Sequence, residues 1–408
     1  MPLMRVFMGE RIPPHFQVPG FLSAGVSAGL KKNHERDLAL IYSEVPAAAA
    51  GVFTTNRVKA APVLLSMERV KSGTARALLA NSGSANACTG RQGLRDGRRL
   101  SELIASSLKI DPSRVLLAST GVIGKPLPMP VIEKSLPRLV TSLSSAGLGD
   151  AARAIMTTDT FPKAGIVRSR VNGREIVMAG MAKGAGMINP KMATLLSFVF
   201  TDALISPGAL RRSLRDGVKS SFNRITVDGD TSTNDTLLVL ANGLAGNREI
   251  LSHTAGYKKF SELLHELLFS LAKLIARDGE GATKLVEIAV TGARTTSEAE
   301  QVARAVAYSP LVKTAFFGED ANWGRIICAA GYSGIAIDPD RVEIFFDDVP
   351  IVRRGCGTGL RNEARATSVM KKREYKVRLN LRRGTKTASI FTTDFSYDYV
   401  KINASYRS

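Results

Sequence analysis

Short apolar runs bounded by glycine, asparagine or proline alternate along the chain with longer stretches in which apolar residues recur every three or four positions. The runs RALLAN (76–81) and RVLLAS (114–119) are almost wholly apolar, and each leads into a glycine-containing turn; they predict buried strands. Between them Leu100, Leu103, Ile104 and Leu108 share one face at helical spacing. In GIVRSRVNGREIVMAGM (165–181) two strand-like runs flank Asn172-Gly173. That pair tolerates positive φ at both positions and so predicts a tight type I′ hairpin. The hairpin delivers the chain into Lys183-Gly184-Ala185-Gly186, and a further strand is expected to open at Thr194.

Downstream, SELLHELLFSLAKLIARDGEG (261–281) reads as a long amphipathic helix stopped at Gly279, and KLVEIAV (284–290) as a strand. Ser297 and Glu300 have capping-box spacing at the start of another helix. The tail predicts strands joined by a turn at Arg383-Gly384. Helix and strand signals alternate throughout without an internal repeat or a low-complexity linker. The expected class is therefore α/β (α+β layered), with a smaller C-terminal subdomain over about 290–408.

Composition narrows this picture. With 408 residues, 44% hydrophobic and 23% charged, the chain can bury the cores of two or three ordinary domains. No apolar run reaches bilayer length, and the first twenty residues place prolines and a glutamate where a signal peptide needs a continuous apolar stretch. A cytoplasmic protein without a membrane partner is expected. Cys88, Cys328 and Cys356 are far apart and form no CxxC pair, which argues against a disulfide framework or a cysteine zinc site. His15, His34, His253 and His265 show no ligand spacing. No metal or cofactor is expected, and an acyl-transfer base in this chain need not be histidine.

The net charge of +20 and the isoelectric point near 10.1 raise the question of a nucleic-acid partner. The basic clusters Arg98-Arg99, Arg211-Arg212 and Lys371 to Arg373 are scattered and lack interleaved aromatics, which make up 6% of residues. A basic, solvated surface around a site for an anionic small molecule fits better, and no nucleic-acid partner is expected.

Among the stretches that could carry chemistry, Thr194 stands at the seam between a glycine-rich loop and an apolar run. A threonine hydroxyl is a weak nucleophile unless a base adjoins it, and an N-terminal threonine carries that base as its own α-amine. The amine has an ordinary pKa near 7.7–8.0. Freeing it requires a cut between Ala193 and Thr194. A β-branched residue opening a strand is the plainer reading of the same position. In ASTGVIGKPLP (118–128) a buried strand ends in Ser119-Thr120-Gly121, where a backbone N–H or the Thr120 hydroxyl could face a developing oxyanion. MTTDTFPK (156–163) and DGDTSTNDT (228–236) are dense in hydroxyls and carboxylates, and the second lacks the glycine and glutamate positions of a calcium loop. Both read as hydrogen-bonded turns beside a polar cleft.

These stretches, with FTTNRVKAAPV (53–63), NSGSANACTG (81–90), KGAGMINPKMATLL (183–196), DANWGRI (320–326) and the final INASYRS, occur in an order that resembles the ornithine acetyltransferase (glutamate N-acetyltransferase) family of arginine biosynthesis. The resemblance runs from about Pro19 to the C-terminus. It implies an N-terminal-nucleophile-like, self-processing fold, cut between Ala193 and Thr194 into an α chain (1–193) and a β chain (194–408) that assemble as an α2β2 heterotetramer. It implies transfer of the acetyl group from N2-acetylornithine to glutamate by a ping-pong route, with acetyl-CoA as a co-substrate in some members.

Carried over by position, Thr194 is the nucleophile, and Thr120 and Gly121 form the oxyanion hole. Lys183, Glu280, Asn403, the terminal Ser408 and either Thr157 or Thr158 contact substrate, together with Thr194. Lys183 would meet the carboxylate and Glu280 the ornithine ammonium. Three positions depart from the family pattern: Lys191 and Ser84 stand where asparagine is common, and Ser408 where threonine is usual. Two other readings remain open, a self-processing amidohydrolase or aminopeptidase and a basic nucleic-acid-binding protein that keeps the fold.

Overall fold

The computed structural model describes residues 3–8, 16–32, 34–189 and 195–405. They divide into two compact units. The first runs to Asn223 and takes up again over Asp230–Ile275; the second comprises Arg224–Gly229 and the described residues from Ala276 to Ser405.

In the first unit the described residues form nine strands: β1 (Leu3–Met8), β2 (Phe21–Val26), β3 (Leu38–Phe53), β4 (Thr74–Asn81), β5 (Val115–Ser119), β6 (Lys163–Val171), β7 (Arg174–Lys183), β8 (Leu196–Thr201) and β9 (Thr236–Ala241). They make one sheet in the order β1-β6-β7-β8-β9-β3-β4-β5, with β2 also paired to β3. The β4–β5 and β8–β9 pairs are parallel, as expected where a connecting segment crosses over rather than turns back. The long β3 pairs with β2 over Leu38–Ser43 and with β9 over Ala48–Phe53, and its pairing with β4 shifts register between Tyr42 and Ala47.

Helices α1 (Ala61–Arg69), α2 (Gly90–Leu108), α3 (Met129–Thr141), α4 (Leu148–Ala154) and α5 (Pro207–Ser220) belong to this unit. The strands read from RALLAN and RVLLAS are β4 and β5, and the helix read between them is α2. One core cluster gathers Ile41, Leu78, Met181, Phe198, Phe200 and Leu240. Another packs Leu40, Leu79 and Leu117 with Leu100 and Ile104 of α2 and Ile132 of α3. Each such side chain contributes about 1.5–3 kcal/mol on burial. Helix α6 (Ala255–Arg277) approaches the sheet closely at Gly165, where a Cβ would lie 2.7 Å from Leu267. It ends two residues before Gly279 and leads the chain into the second unit.

The second unit contains six strands among the described residues: β10 (Leu285–Ala293), β11 (Glu343–Phe346), β12 (Val349–Arg353), β13 (Cys356–Gly357), β14 (Glu374–Asn380) and β15 (Lys386–Thr393). Their order is β13-β12-β11-β14-β10-β15. The two tail strands therefore do not form a hairpin with each other. They flank β10, β14 parallel to it and β15 antiparallel. This placement gives the apolar β10, with Val286, Ile288 and Val290 fully buried, a partner on each side. Helices α7 (Thr296–Tyr308), α8 (Pro310–Phe317), α9 (Trp323–Gly331), α10 (Leu360–Met370) and α11 (Tyr397–Ser405) complete the unit.

The start of α7 corrects the expected cap. Thr295, not Ser297, is the N-cap: its hydroxyl accepts from the Glu298 amide at 3.1 Å, and the Glu298 carboxylate accepts from the Arg294 amide at 3.1 Å. Glu300 instead faces Arg224, with Nη2 2.5 Å from Oε1. No helix among the described residues is long and apolar enough to cross a membrane.

Candidate acyl-transfer site

The site in the first unit begins with the hairpin of β6 and β7. Asn172 (φ 50°) and Gly173 (φ 80°) turn the chain as the sequence predicts. Because a two-residue turn fixes register, Lys163 at the start of β6 lies opposite Ala182, next to Lys183 at the end of β7. The open end of the hairpin thus brings together the loop before β6, which carries Thr157 and Thr158, and the Lys183-Gly184 turn. On the other side of β7, Lys183 pairs with Leu196, the first residue of β8. The last residue of β7 and the first of β8 therefore lie side by side.

A buried carboxylate ties these pieces together. Asp159 accepts from Lys163 Nζ at 2.6 Å and from the Gly184 amide at 2.7 Å through Oδ1, and from the Thr157 amide at 3.0 Å through Oδ2. Neither the Asp159 nor the Lys163 side chain is exposed. Burial alone raises the Asp159 pKa, but Lys163 and Lys183, with the hydrogen bonds, outweigh it and hold the carboxyl well below the usual carboxylate range. Lys183 Nζ lies 3.5 Å from Thr120 Oγ1. Lys31 is near enough to interact with both Asp159 and Lys183; burial lowers its pKa, against the pull of Glu35, Asp37 and Asp159. Lys163 and Lys183 both act on Asp159, and Lys31 adds a third positive charge within reach while pairing with Glu35 at 3.9 Å.

Thr120 and Gly121 follow directly on β5. The Thr120 amide is already taken, donating to Asn81 O at 2.9 Å. The Thr120 hydroxyl and the Gly121 amide are the remaining groups that the sequence nominates for an oxyanion. Gly121 has φ +126°, and a Cβ there would lie 2.5 Å from the Gly83 carbonyl carbon and 2.7 Å from the Ser84 nitrogen. Only glycine fits so close a crossing of two backbones. Ser84, one of the departures from the family pattern, lies in this crossing through its bridge to Thr120.

The DGDTSTNDT segment braces the same region. Asn234 Nδ2 donates to Ala85 O at 2.6 Å and Ser119 O at 2.8 Å, and Ser119 Oγ donates to Asn81 Oδ1 at 2.6 Å. Asp235 Oδ1 accepts from the Leu195 amide at 2.8 Å. One buried segment therefore holds both the strand that ends before Thr120 and the residue that leads into β8.

In the second unit, Asn403 Nδ2 donates to Glu280 Oε2 at 2.9 Å. Ser396 Oγ donates to Gly281 O at 2.6 Å, and Asp394 accepts from the Thr283 and Lys284 amides at 2.9 and 2.8 Å. These bonds fix the turn that presents Glu280. The structure thus brings Thr120, Gly121 and Lys183 together, links Thr157 to them through Asp159, and pairs Glu280 with Asn403. Thr158 is half-buried. Lys191, Ala193, Thr194 and Ser408 lie outside the described residues.

The bracing roles of Asp159, Asn81, Asn234 and Asp235 were not read from the sequence. Their local signal is weak: Asn81 ends a strand and the other three lie in loops that lead into one, where a short polar side chain reaches loop amides and carbonyls. A cavity of about 780 Å³ lined by Arg36, Arg138, Arg153 and Phe161 contains none of the predicted site residues. Among the described residues no group of three or more His, Cys, Asp or Glu could hold a metal ion. Cys88, Cys328 and Cys356 are free and exposed.

A hydroxyl beside a lysine is an arrangement that can stabilise an oxyanion or hold a carboxylate, as acyl transfer requires. Comparison with known proteins shows the family. The ArgJ family model matches residues 22–408, and the chain belongs to that family. The arginine biosynthesis bifunctional protein ArgJ of Geobacter sulfurreducens is 54% identical over 391 residues, covering 96% of this chain and 100% of that protein. The protein of the same name from Syntrophotalea carbinolica is 53% identical over 394 residues, again covering 96% and 100%. A crystal structure of ArgJ from Bacillus halodurans is 46% identical with a TM-score of 0.50, covering 52% of this chain and 100% of its own.

Proposed function

We propose that this chain transfers the acetyl group of N2-acetylornithine to glutamate in arginine biosynthesis, through an ester on Thr194 formed after the chain cuts itself between Ala193 and Thr194. The observation that carries this reading is Lys183 Nζ 3.5 Å from Thr120 Oγ1, at the mouth of the loop that returns at Leu195. The crystallised Bacillus halodurans chain, matched over its whole length, spans just over half of this one; a product of one cut near the middle has that size.

In the first half-reaction the Thr194 α-amine takes the proton from Oγ as Oγ attacks the acetyl carbonyl. The Thr120 hydroxyl and Gly121 amide donate to the oxyanion. The C–N bond breaks, the α-ammonium of Thr194 returns the proton to the leaving amine, and ornithine departs. In the second, the glutamate amine attacks the ester carbonyl, the C–O bond breaks, and Thr194 recovers its proton. Lys183 binds the carboxylate common to both substrates, and Glu280 with Asn403 receives the ornithine ammonium. Thr157 or Thr158 supplies a further hydroxyl contact, and Ser408 contacts substrate. Acetyl-CoA serves as an alternative donor, and the cut chains assemble as α2β2 in the cytoplasm without a metal or cofactor.

The test is direct. On a denaturing gel the wild type should give two fragments of similar size, the second beginning TLLSF by mass spectrometry. Thr194→Ala should give one 43.7 kDa band and no acetylglutamate. An intact wild-type chain with full transferase activity would overturn the mechanism. Gel filtration reads the assembly, and replacing acetylornithine by acetyl-CoA tests the second donor.

A further inference from the structure

We propose that Asp159, locked to Lys163, is a positioning residue that sets Lys183 against Thr120 by joining the Thr157 loop to the Lys183-Gly184 turn. The inference deepens the proposed function and rests on the reading of Lys183 as the carboxylate-binding group.

The geometry does not suit a merely space-filling ion pair. A buried aspartate that only neutralised Lys163 would need one bond. Asp159 accepts two more, from the Gly184 amide at 2.7 Å and the Thr157 amide at 3.0 Å. These amides belong to the two segments that leave the open end of the β6–β7 hairpin, and they carry neighbours already placed in the substrate site. The donor at 184 immediately follows Lys183. Oδ1 is shared between Lys163 Nζ and the Gly184 amide, so moving either shifts the other.

Lys163 has a second contact as well, with Nζ 5.0 Å from the centre of the Phe161 ring. With Asp159 it forms a fully buried ion pair, and the same Asp159 oxygen accepts from the amide that directly follows Lys183, so the pair fixes where Lys183 leaves the strand.

Asp159→Asn removes the charge and leaves one acceptor where three donors converge. The expected result is cleaved, folded protein whose KM for both acetylornithine and glutamate rises about tenfold or more, the factor that loss of one charge-assisted contact gives, with a smaller change in kcat. A purely structural role would lower the melting temperature and leave KM of the surviving enzyme unchanged.

A double-mutant cycle with Lys183→Met separates the two roles. If Asp159 acts through Lys183, Asp159→Asn adds little to KM once Lys183 is gone; independent, multiplying effects overturn the inference. Should Asp159→Asn not fold, Asp159→Asn with Lys163→Gln supplies a neutral hydrogen-bonding pair of similar size for the same cycle. A folded variant of either kind with KM within about twofold of wild type overturns the inference, and so does failure of both to fold, which would assign the pair to stability alone. A wild-type KM in Lys183→Met would instead remove the reading of Lys183 on which the inference rests. A raised KM in Lys183→Met with an unchanged KM in folded Asp159→Asn overturns the positioning role alone.

Discussion

At Gly121, proposed above as an oxyanion donor, a single hydrogen atom stands where a Cβ would collide with the Gly83–Ser84 backbone. An alanine there must move the Gly83–Ser84 backbone, which a Cβ would approach to 2.5 Å, and must hold φ +126°, where side-chain-bearing residues are strained. Gly121→Ala is expected to fold, with far-ultraviolet circular dichroism unchanged, and to lose about 10²-fold or more in kcat. A loss confined to KM would remove Gly121 from the oxyanion hole. Asp202 shows the opposite case, a strained charge away from the chemistry. It accepts the Val177 amide at 2.7 Å. Burial raises its pKa to about 6, against that bond and Arg168, with Glu175 adding to the rise. The folded value lies above the unfolded one, about 3.9. Its contribution to stability is therefore full below about pH 4 and lost as pH rises through about 6. Asp202→Asn keeps an acceptor for Val177 without the charge. It should melt higher than wild type at pH 8, by the equivalent of about 1–2 kcal/mol after allowing for solvent screening, with the gap closed at pH 4. An equal gap at both pH values would show that ionisation of Asp202 is not its source.

Elements differ in how plainly the chain announces them. The β6–β7 hairpin was legible because everything that defines it, two apolar runs and an Asn-Gly turn, lies within twenty residues, and its register then places Lys163 beside Lys183. The order β14-β10-β15 was not legible, because pairing between residues ninety positions apart leaves no local mark. The α7 cap shows ambiguity of a third kind: Thr295 with Glu298 and Ser297 with Glu300 have the same spacing, and Arg224 decides between them by engaging Glu300. Thr120, Gly121 and Lys183 could be nominated from motifs, whereas the polar side chains that hold their loops could not. Those partners lie far along the chain. Asn234 reaches Ala85 O and Ser119 O, 149 and 115 positions away. Asn234→Ala strands both carbonyls and frees the strand end before Thr120. It should cost about 2–3 kcal/mol, read as a lower urea midpoint with unchanged m-value, and should lower kcat in the protein that remains folded. Unchanged kcat at reduced stability would confine Asn234 to support of the fold.

The whole chain carries 56 lysines and arginines against 36 aspartates and glutamates, and the proposed reaction offers a way to learn whether this excess serves catalysis. Glutamate arrives with a net negative charge, whereas N2-acetylornithine, a carboxylate with a side-chain ammonium, is neutral overall. A positive field therefore draws in the acceptor and not the donor. In a ping-pong scheme each kcat/KM reports its own half-reaction, so the two can be read separately in one enzyme. Between about 0.02 and 0.5 M KCl, where the screening length falls from roughly 20 Å to about 4 Å, kcat/KM for glutamate should fall several-fold and that for acetylornithine should change little. Lys31→Met then divides the effect by range. Lys31 lies close enough to Asp159 and Lys183 to interact with both, so if the attraction is local its removal flattens the salt dependence for glutamate. If the slope survives in Lys31→Met, the attraction comes from the surface as a whole. Equal salt dependence for both substrates would break the link between basic charge and the acceptor step. Retarded migration of DNA or RNA with steep salt dependence would then give the charge a different use.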